Sequence, residues 1–237
     1  MLDKPRNNNL DGGTSPCLTV LQLDTTFPRI PGDVASPETY QQPISIHRIN
    51  KASVSAVIND QPDQMDISYF EAGARGITHG IGVTSCGFLG YWHGHLAEIC
   101  PRPFVASSLV DLPRLMAVQP TQEMAIVTFD AEVLRSPLYQ PLLSEFDGKI
   151  IGLDPDMHLR RVIAEDLPDL DSPLAEQEII DLLQPHLKGG RIKTLILECT
   201  NLPPYKSAIK QAFDLEVYDI LTSIHQRDAD LVKPEFL

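Results

Sequence analysis

The stretch Leu18-Thr-Val-Leu-Gln-Leu-Asp24 has a counterpart in the second half of the chain, Met124-Ala-Ile-Val-Thr-Phe-Asp130. Each is a short apolar run, which is typical of a buried strand in a parallel sheet. Each run also ends in an aspartate. A cysteine follows each run after a second apolar stretch, Cys86 in the first half and Cys199 in the second. This repetition predicts two related units, each with a cysteine just after a strand.

Further landmarks repeat in the same order. A short strand is predicted after each cysteine, Phe104-Val105 in the first half and Val217-Tyr218 in the second, and each leads into a helical segment. Strands that alternate with amphipathic helices predict an α/β fold with mostly parallel sheets. We therefore expect two similar α/β domains related by a pseudo-twofold axis, with the active site in the cleft between them. The other predicted strands are 44–49, 77–83 and 192–197, and the predicted helices include 88–99, 174–187 and 205–213.

The predicted organisation has three parts. Residues 1–16 are polar and are expected to form a disordered lead-in without a secretory signal. Residues 17–117 together with about 220–237 form the first domain, and residues 118–219 form the second. The proline-rich segment 25–42 is predicted to be a long loop at the carboxyl edge of the first sheet, where such folds bind ligands.

The composition of the chain argues against several kinds of binding partner. The net charge of −13 and the absence of a basic cluster argue against nucleic-acid binding. No apolar run is long enough to span a membrane, and a cytoplasmic location is expected. The four cysteines form no C-x-x-C pair, so neither a zinc knuckle nor a thioredoxin-like motif is supported. We expect no metal and no organic cofactor.

The two repeated cysteines are the strongest chemical signal. A residue between a strand end and a helix N-terminus lies near free N–H groups that stabilise a thiolate. Two thiols on opposite walls of a cleft suit removal of a proton from one face of a carbon and its return to the other face. Cys86 and Cys199 are therefore predicted as the acid/base pair.

Three segments also resemble the aspartate/glutamate racemase superfamily. Two are cysteine motifs, Gly82-Val-Thr-Ser-Cys-Gly-Phe88 and Leu197-Glu-Cys-Thr-Asn-Leu-Pro-Pro-Tyr205, and the third is the first-strand loop Leu23-Asp-Thr-Thr-Phe-Pro-Arg-Ile-Pro-Gly-Asp33. The resemblance spans about residues 18–224. It implies two α/β domains and cofactor-independent two-base catalysis by the two cysteines.

The resemblance and the strand-end positions together define the remaining candidate residues. Asp24 falls where the family has an acidic residue that assists the first cysteine, and Thr200 matches a ligand of the substrate carboxylate. Arg29 in the proline-rich loop is a candidate clamp for a carboxylate. Whether Asp130 takes part is left open. The other predicted substrate-binding residues are Thr25, Ser85, Gly87, Thr128 and Asn201.

Two departures from the glutamate racemases bear on the substrate. Those enzymes carry asparagine after the first cysteine, where this chain has Gly87, and histidine two places after the second, where it has Asn201. The sequence predicts a racemase of a small carboxylate, most simply aspartate or glutamate, and a possible homodimer. The alternatives are a hydantoin racemase, a cis-trans isomerase of an unsaturated diacid, and a non-catalytic sensor that binds a small carboxylate.

Overall fold

The structure is a computed structural model that describes residues 16–237. The predicted disordered lead-in, residues 1–16, lies outside the described residues except for Pro16. In the first half, apolar runs form four strands and polar-faced segments form four helices. These are β1 (Leu18–Leu23), β2 (Ile44–Ile49), β3 (Ile81–Thr84) and β4 (Phe104–Val105), with α1 (Val54–Val57), α2 (Ser68–Arg75), α3 (His93–Ile99) and α4 (Leu112–Met116).

The second half repeats this pattern with more helix. Its strands are β5 (Met124–Thr128), β6 (Lys149–Gly152), β7 (Thr194–Leu197) and β8 (Glu216–Tyr218). Its helices are α5 (Ala131–Leu134), α6 (Gln140–Leu143), α7 (His158–Glu165), α8 (Ser172–Leu187), α9 (Lys206–Phe213) and α10 (Ile220–His225). None of the helices in residues 16–237 is long and apolar enough to cross a membrane.

The two sheets have the same topology. The strand order is β2-β1-β3-β4 in the first sheet and β6-β5-β7-β8 in the second, and every strand pair is parallel. The two α/β units predicted from the repeated sequence are thus confirmed. Because the central pairs β1–β3 and β5–β7 correspond, the residues that follow β3 and β7 occupy equivalent positions at the carboxyl edges of their sheets.

The predicted strand over residues 77–83 is shorter than expected at its start. The backbone N–H of Ile77 still donates to Ala74 at the end of α2, and a turn follows with Gly80 at φ +65°. A Cβ at Gly80 would overlap the backbone of Cys17, so this turn packs directly on the chain entering β1. The strand begins only at Ile81. Strand β6 was not predicted, because it is four residues long and starts at an exposed lysine.

The chain returns to the first unit at its end. Ile220, Leu221 and Ile224 of α10 pack in the same buried cluster as Leu18 and Val20 of β1. A second and larger cluster of buried side chains is continuous across both sheets. The domain boundaries given above remain a prediction, since the two units share this core.

Candidate active site

A pocket lies between the carboxyl edges of the two sheets. Residues from both halves of the chain line it, as expected for a cleft shared by two related units. Its polar lining is Arg29, Ser85, Cys86, Glu198, Cys199, Thr200 and Asn201, and its other lining residues are Leu23, Phe27, Val54, Ile58, Gly87, Phe88, Phe129 and Ile163. The structure therefore brings both predicted cysteines to one pocket.

Cys86 follows β3 by two residues and directly precedes a 3₁₀ turn, Gly87–Trp92. The backbone N–H groups of Phe88 and Leu89 face its sulfur and, together with Arg29, favour the thiolate. Burial has the larger, opposite effect, and with the nearby Glu198 carboxyl it raises the pKa of the Cys86 thiol to about 12. In the free protein the thiol is thus protonated at neutral pH, and a bound ligand must favour the thiolate if Cys86 acts as a base.

Cys199 occupies the equivalent place after β7. Its thiol lies 3.8 Å from Asn201 Oδ1, to which it donates, and the backbone N–H of Asn201 faces the sulfur. Burial raises the pKa of the Cys199 thiol well above its usual value, and Glu198, Cys86 and Asp33 raise it further. Cys199 therefore has fewer groups that stabilise a thiolate than Cys86 has.

Glu198 is a functional candidate that the sequence reasoning missed. It is fully buried, and its Oε2 accepts a hydrogen bond of 2.7 Å from Thr128 Oγ1, whereas its Oε1 has no hydrogen-bond partner. Burial raises the pKa of its carboxyl from 4.5 to about 7. The available signal was a glutamate that interrupts an apolar strand directly before a cysteine. Thr128, predicted to bind substrate, instead holds this carboxyl.

The absence of a side chain at Gly87 makes room for Glu198. A Cβ at Gly87 would overlap both the carboxyl Oε1 and the backbone carbonyl oxygen of Glu198. The asparagine that glutamate racemases carry after the first cysteine would not fit beside this glutamate. Gly87 is therefore a close-approach position between the two halves of the chain.

We expect Gly87→Ala to destabilise the protein by about 1–3 kcal/mol, because the added methyl group overpacks a contact made partly by rigid backbone. Thermal denaturation followed by circular dichroism measures this change. Gly94→Ala is the matched control: nothing lies within 4 Å of a Cβ built at Gly94 in α3, so this change is expected to stabilise the protein by about 0.5–1 kcal/mol. Equal melting temperatures for the two variants would contradict the close approach at Gly87.

Arg29 belongs to a buried network in the proline-rich loop. Its Nη1 lies 3.3 Å from Asp33 Oδ2, and its Nη2 donates to Thr25 Oγ1 at 3.1 Å. The same Asp33 carboxylate accepts a hydrogen bond of 2.6 Å from Asn201 Nδ2, which ties the loop to the second half of the chain. Arg29 Nε is buried and has no hydrogen-bond partner. Nε is thus the guanidinium nitrogen that has no partner in this network.

The hydroxyl groups of Thr25, Ser85 and Thr200 all form hydrogen bonds within the protein. Thr25 is buried but does not line the pocket, and its hydroxyl accepts the hydrogen bond from Arg29. The hydroxyl of Thr200 donates to the carbonyl of Ser85 at 2.6 Å, so the two cysteine loops are joined directly. The hydroxyl of Ser85 accepts from the backbone N–H of Leu23 at 3.0 Å.

Asp24 and Asp130 are not brought to the pocket. The Asp24 side chain is 40% exposed, lies 3.3 Å from the Arg48 guanidinium and accepts from the backbone N–H of Lys51. Asp130 caps α5 and pairs with Arg160 at 2.7 Å. Neither carboxylate lies among the pocket-lining residues, so the structure supplies no contact through which Asp24 would assist Cys86. Within residues 16–237, no group of three or more His, Cys, Asp or Glu side chains is placed to hold a metal ion.

Comparison with known proteins separates the sequence relatives from the structural ones. No family model matches the chain. Over 93% of its length the chain is 27% identical to dimethylsulfoniopropionate lyase 3 of Emiliania huxleyi, of which it spans 61%. Over 87% of its length it is 26% identical to a dimethylsulfoniopropionate lyase of Durusdinium sp. clade D, of which it spans 72%. The chain thus spans less than two thirds of the Emiliania huxleyi lyase.

These relatives correct the functional prediction. The prediction of a racemase, and with it the isomerase class and a role in amino acid metabolism, is wrong, because the relatives that match nearly the whole chain are lyases. The prediction that the chain is an enzyme is supported by both groups of relatives. The physical reason for the error is that removal of a proton beside a carboxylate begins a racemisation and an elimination alike. The cysteine motifs do not distinguish the two reactions.

The structural relatives are racemases. An allantoin racemase from Klebsiella pneumoniae superposes with a TM-score of 0.60 at 14% identity, covering 90% of this chain and 86% of its own. A glutamate racemase from Bacillus anthracis superposes with a TM-score of 0.55 at 17% identity, covering 92% of this chain and 84% of its own. An aspartate racemase from Picrophilus torridus superposes with a TM-score of 0.51 at 12% identity, covering 92% of this chain and 97% of its own. At these identities the likeness shows the architecture alone, and the chain has the two-domain fold of the aspartate/glutamate racemases, as the resemblance of its cysteine motifs predicted.

Proposed function

We propose that this chain is a lyase that eliminates dimethyl sulfide from dimethylsulfoniopropionate or a closely similar onium propionate. The observation that carries the proposal is the similarity to dimethylsulfoniopropionate lyases over 87–93% of the chain. An alignment over this share of the chain spans both cysteine loops. The apolar and aromatic part of the pocket lining is compatible with the methyl groups of a substrate of this kind.

The chemistry requires one base. A thiolate removes a proton from C2, the carbon beside the carboxylate; the electrons of that C–H bond form the C2=C3 double bond, and the C3–S bond breaks with its electrons going to sulfur. The products are acrylate and neutral dimethyl sulfide, and the proton stays on the cysteine. The leaving group needs no proton, so an elimination needs only one of the two cysteines as base, unlike a two-base racemisation.

The contacts around the cysteines favour Cys86 as this base. Two backbone N–H groups and the Arg29 guanidinium favour its thiolate, whereas only one backbone N–H group favours that of Cys199. Glu198 opposes ionisation of both thiols, and Asp33 also opposes that of Cys199. Arg29 Nε, which has no hydrogen-bond partner, is the donor that we assign to the substrate carboxylate. The same guanidinium is close enough to Cys86 to favour its thiolate. A hydrogen bond to the carboxylate also stabilises the enolate-like charge that develops as C2 loses its proton.

The direct test is product formation by the full chain. Incubated with dimethylsulfoniopropionate, the protein is expected to release dimethyl sulfide, measured by gas chromatography of the headspace, and equimolar acrylate, measured by proton NMR. The double variant Cys86→Ala/Cys199→Ala is the negative control. Cys100→Ala replaces a buried cysteine outside the pocket and is expected to keep full activity. Release of dimethyl sulfide no faster than with the double variant would refute the proposal.

A further inference from the structure

Two pocket-lining residues each have a buried polar atom without a hydrogen-bond partner, one on a carboxyl group and one on a guanidinium group. One is Oε1 of Glu198, whose side chain is fully buried, and the other is Nε of Arg29, whose side chain is 9% exposed. Both residues line the pocket. A buried polar group without a hydrogen-bond partner is costly, and an unpaired buried charge costs more. The pocket therefore offers one unpaired acceptor and one unpaired donor that a bound ligand can satisfy.

The Arg29 side of the pocket is already suited to an anion. The guanidinium keeps its contacts with Asp33 and Thr25 through its terminal nitrogens, so Nε is the donor that remains. Arginine is the residue that best recognises carboxylates. The substrate carboxylate of the proposed function accounts for this donor and leaves the Glu198 carboxyl oxygen unexplained.

The surroundings of Glu198 suit a cation that has no N–H groups. Three aromatic rings, those of Phe27, Phe88 and Phe129, line the same pocket, together with aliphatic side chains such as Ile163. A primary ammonium needs three acceptors, whereas Glu198 offers one free carboxylate oxygen. A sulfonium or quaternary ammonium presents methyl groups instead, which pack on apolar and aromatic surfaces while the charge is attracted to a carboxylate and to ring faces.

We infer that Glu198 recognises the cationic head of the substrate while Arg29 binds its carboxylate, so the pocket selects small zwitterions with an onium group at one end and a carboxylate at the other. This inference rests on the proposed function for the onium propionate class and adds the residue that reads its positive charge. It also explains why a glutamate is buried beside Cys86 and Cys199, although its negative charge opposes ionisation of both thiols. A bound cation next to Cys86 favours the thiolate that the elimination needs.

The ionisation of the pocket fits this role. Burial raises the pKa of Glu198 to about 7, so its charge changes near neutral pH. The groups that face it are Cys86, Cys199 and Tyr139, whose pKa values are all raised by burial, and the Arg29–Asp33 ion pair. Beyond Phe129 lies a second ion pair, Arg160 with Asp130. Since a cation binds the ionised carboxylate, its affinity is expected to rise with pH through about 7 and then level off.

Two ligands of equal shape and different charge test the inference. Elimination from the cationic ligand would release trimethylamine, a far poorer leaving group than dimethyl sulfide, and the neutral ligand has no leaving group. 3-(Trimethylammonio)propionate carries the cation, and 4,4-dimethylpentanoate replaces its nitrogen with carbon; both keep the carboxylate. By isothermal titration calorimetry at pH 8, the wild-type chain is expected to bind the cationic ligand at least about tenfold more tightly, in the range of close charge pairs in buried sites. Glu198→Gln is expected to remove this preference and leave binding of the neutral ligand unchanged or stronger. Glu216→Gln, at an exposed position, is the control that keeps the preference.

The outcomes separate this inference from the proposed activity, because they concern binding alone, and proton NMR of the titrated sample shows whether any acrylate has formed. Equal affinity for the two ligands, no binding of the cationic ligand at millimolar concentration, or a preference that survives Glu198→Gln would each overturn the role of Glu198, even if dimethyl sulfide is produced. A preference that Glu198→Gln removes supports it, even if the elimination is absent. If Glu198→Gln does not fold, the wild type decides: its preference for the cation must be lost as the pH falls from 8 to 5 and the Glu198 carboxyl takes up a proton, and a constant preference overturns the inference.

Discussion

Cys86→Ala is expected to lower the rate of dimethyl sulfide formation by about 100- to 10,000-fold, the usual contribution of a positioned general base. The reason is that C2–H bonds beside a carboxylate are weakly acidic, so removal of the proton needs a strong and positioned base. Glu198 is committed to a hydrogen bond with Thr128, and its carboxylate is a much weaker base than a thiolate. The measurement is the initial rate under saturating substrate, with folding of the variant checked by circular dichroism.

The pH dependence of the wild type follows from the same ionisation. Burial raises the pKa of Cys86 to about 12 in the free protein, so the thiolate fraction increases about tenfold per pH unit through the neutral range. Since kcat/KM reports the ionisations of the free enzyme, it is expected to rise steadily from pH 7 to pH 9. A plateau beginning below pH 7 would show that the base is a more acidic group than Cys86.

Cys199→Ala separates the roles of the two thiols. Its thiol donates to Asn201 and is expected to support the pocket without removing the proton, so this variant should lose less activity than Cys86→Ala. A larger loss in Cys199→Ala would reverse the assignment and make Cys199 the base. Cys100→Ala sets the baseline for loss of a buried thiol outside the pocket.

Much of the fold was predictable because its signals are local. β1, β2 and β4 have the bounds expected from their apolar runs, and the repeated order of strands and cysteines predicted two sheets of equal topology. Cys86 and Cys199 could be placed in one pocket because equivalent strand ends of related units meet at a shared cleft. The chemistry of proton removal follows from those positions.

The rest depended on contacts between distant parts of the chain or on the substrate. The burial of Glu198 results from its close packing on Gly87 in the other half, which no pattern near Glu198 reveals. Asp24 was predicted to assist Cys86 because it falls where the racemase family has an acidic residue, yet Arg48 of the neighbouring strand β2 pairs with it at the surface. A racemase and a lyase of this kind differ in whether the substrate carries a leaving group. The catalytic cysteines do not reveal that property of the substrate.

Glu198→Gln is expected to remove a pH-dependent loss of stability of about 3 kcal/mol. The pKa of the Glu198 carboxyl is raised from 4.5 to about 7 by burial, so the folded protein holds a proton that the unfolded chain releases. The free energy of unfolding therefore falls by about 1.4 kcal/mol per pH unit between these two pKa values and stays lower at higher pH. Glutamine keeps the hydrogen bond from Thr128 and does not ionise.

Urea denaturation at pH 5 and pH 8 measures this effect as a difference between the two proteins. Other titrating groups contribute equally to the wild type and to Glu198→Gln, so they cancel when the two free energies are subtracted. The exposed Glu216→Gln variant should instead track the wild type at both pH values. A difference between wild type and Glu198→Gln that is the same at pH 5 and pH 8 would mean that the Glu198 carboxyl titrates normally.

The cationic ligand connects this stability effect to recognition. When 3-(trimethylammonio)propionate is bound, its positive charge favours the ionised carboxylate and lowers the pKa of Glu198 toward the ordinary value. The loss of wild-type stability between pH 5 and pH 8 should therefore shrink in the presence of this ligand and remain in the presence of 4,4-dimethylpentanoate. Because linkage is reciprocal, the ligand that restores stability at high pH must be the one whose binding strengthens with pH. If the pH dependence of stability and that of ligand affinity agree, both effects belong to the same carboxylate, that of Glu198.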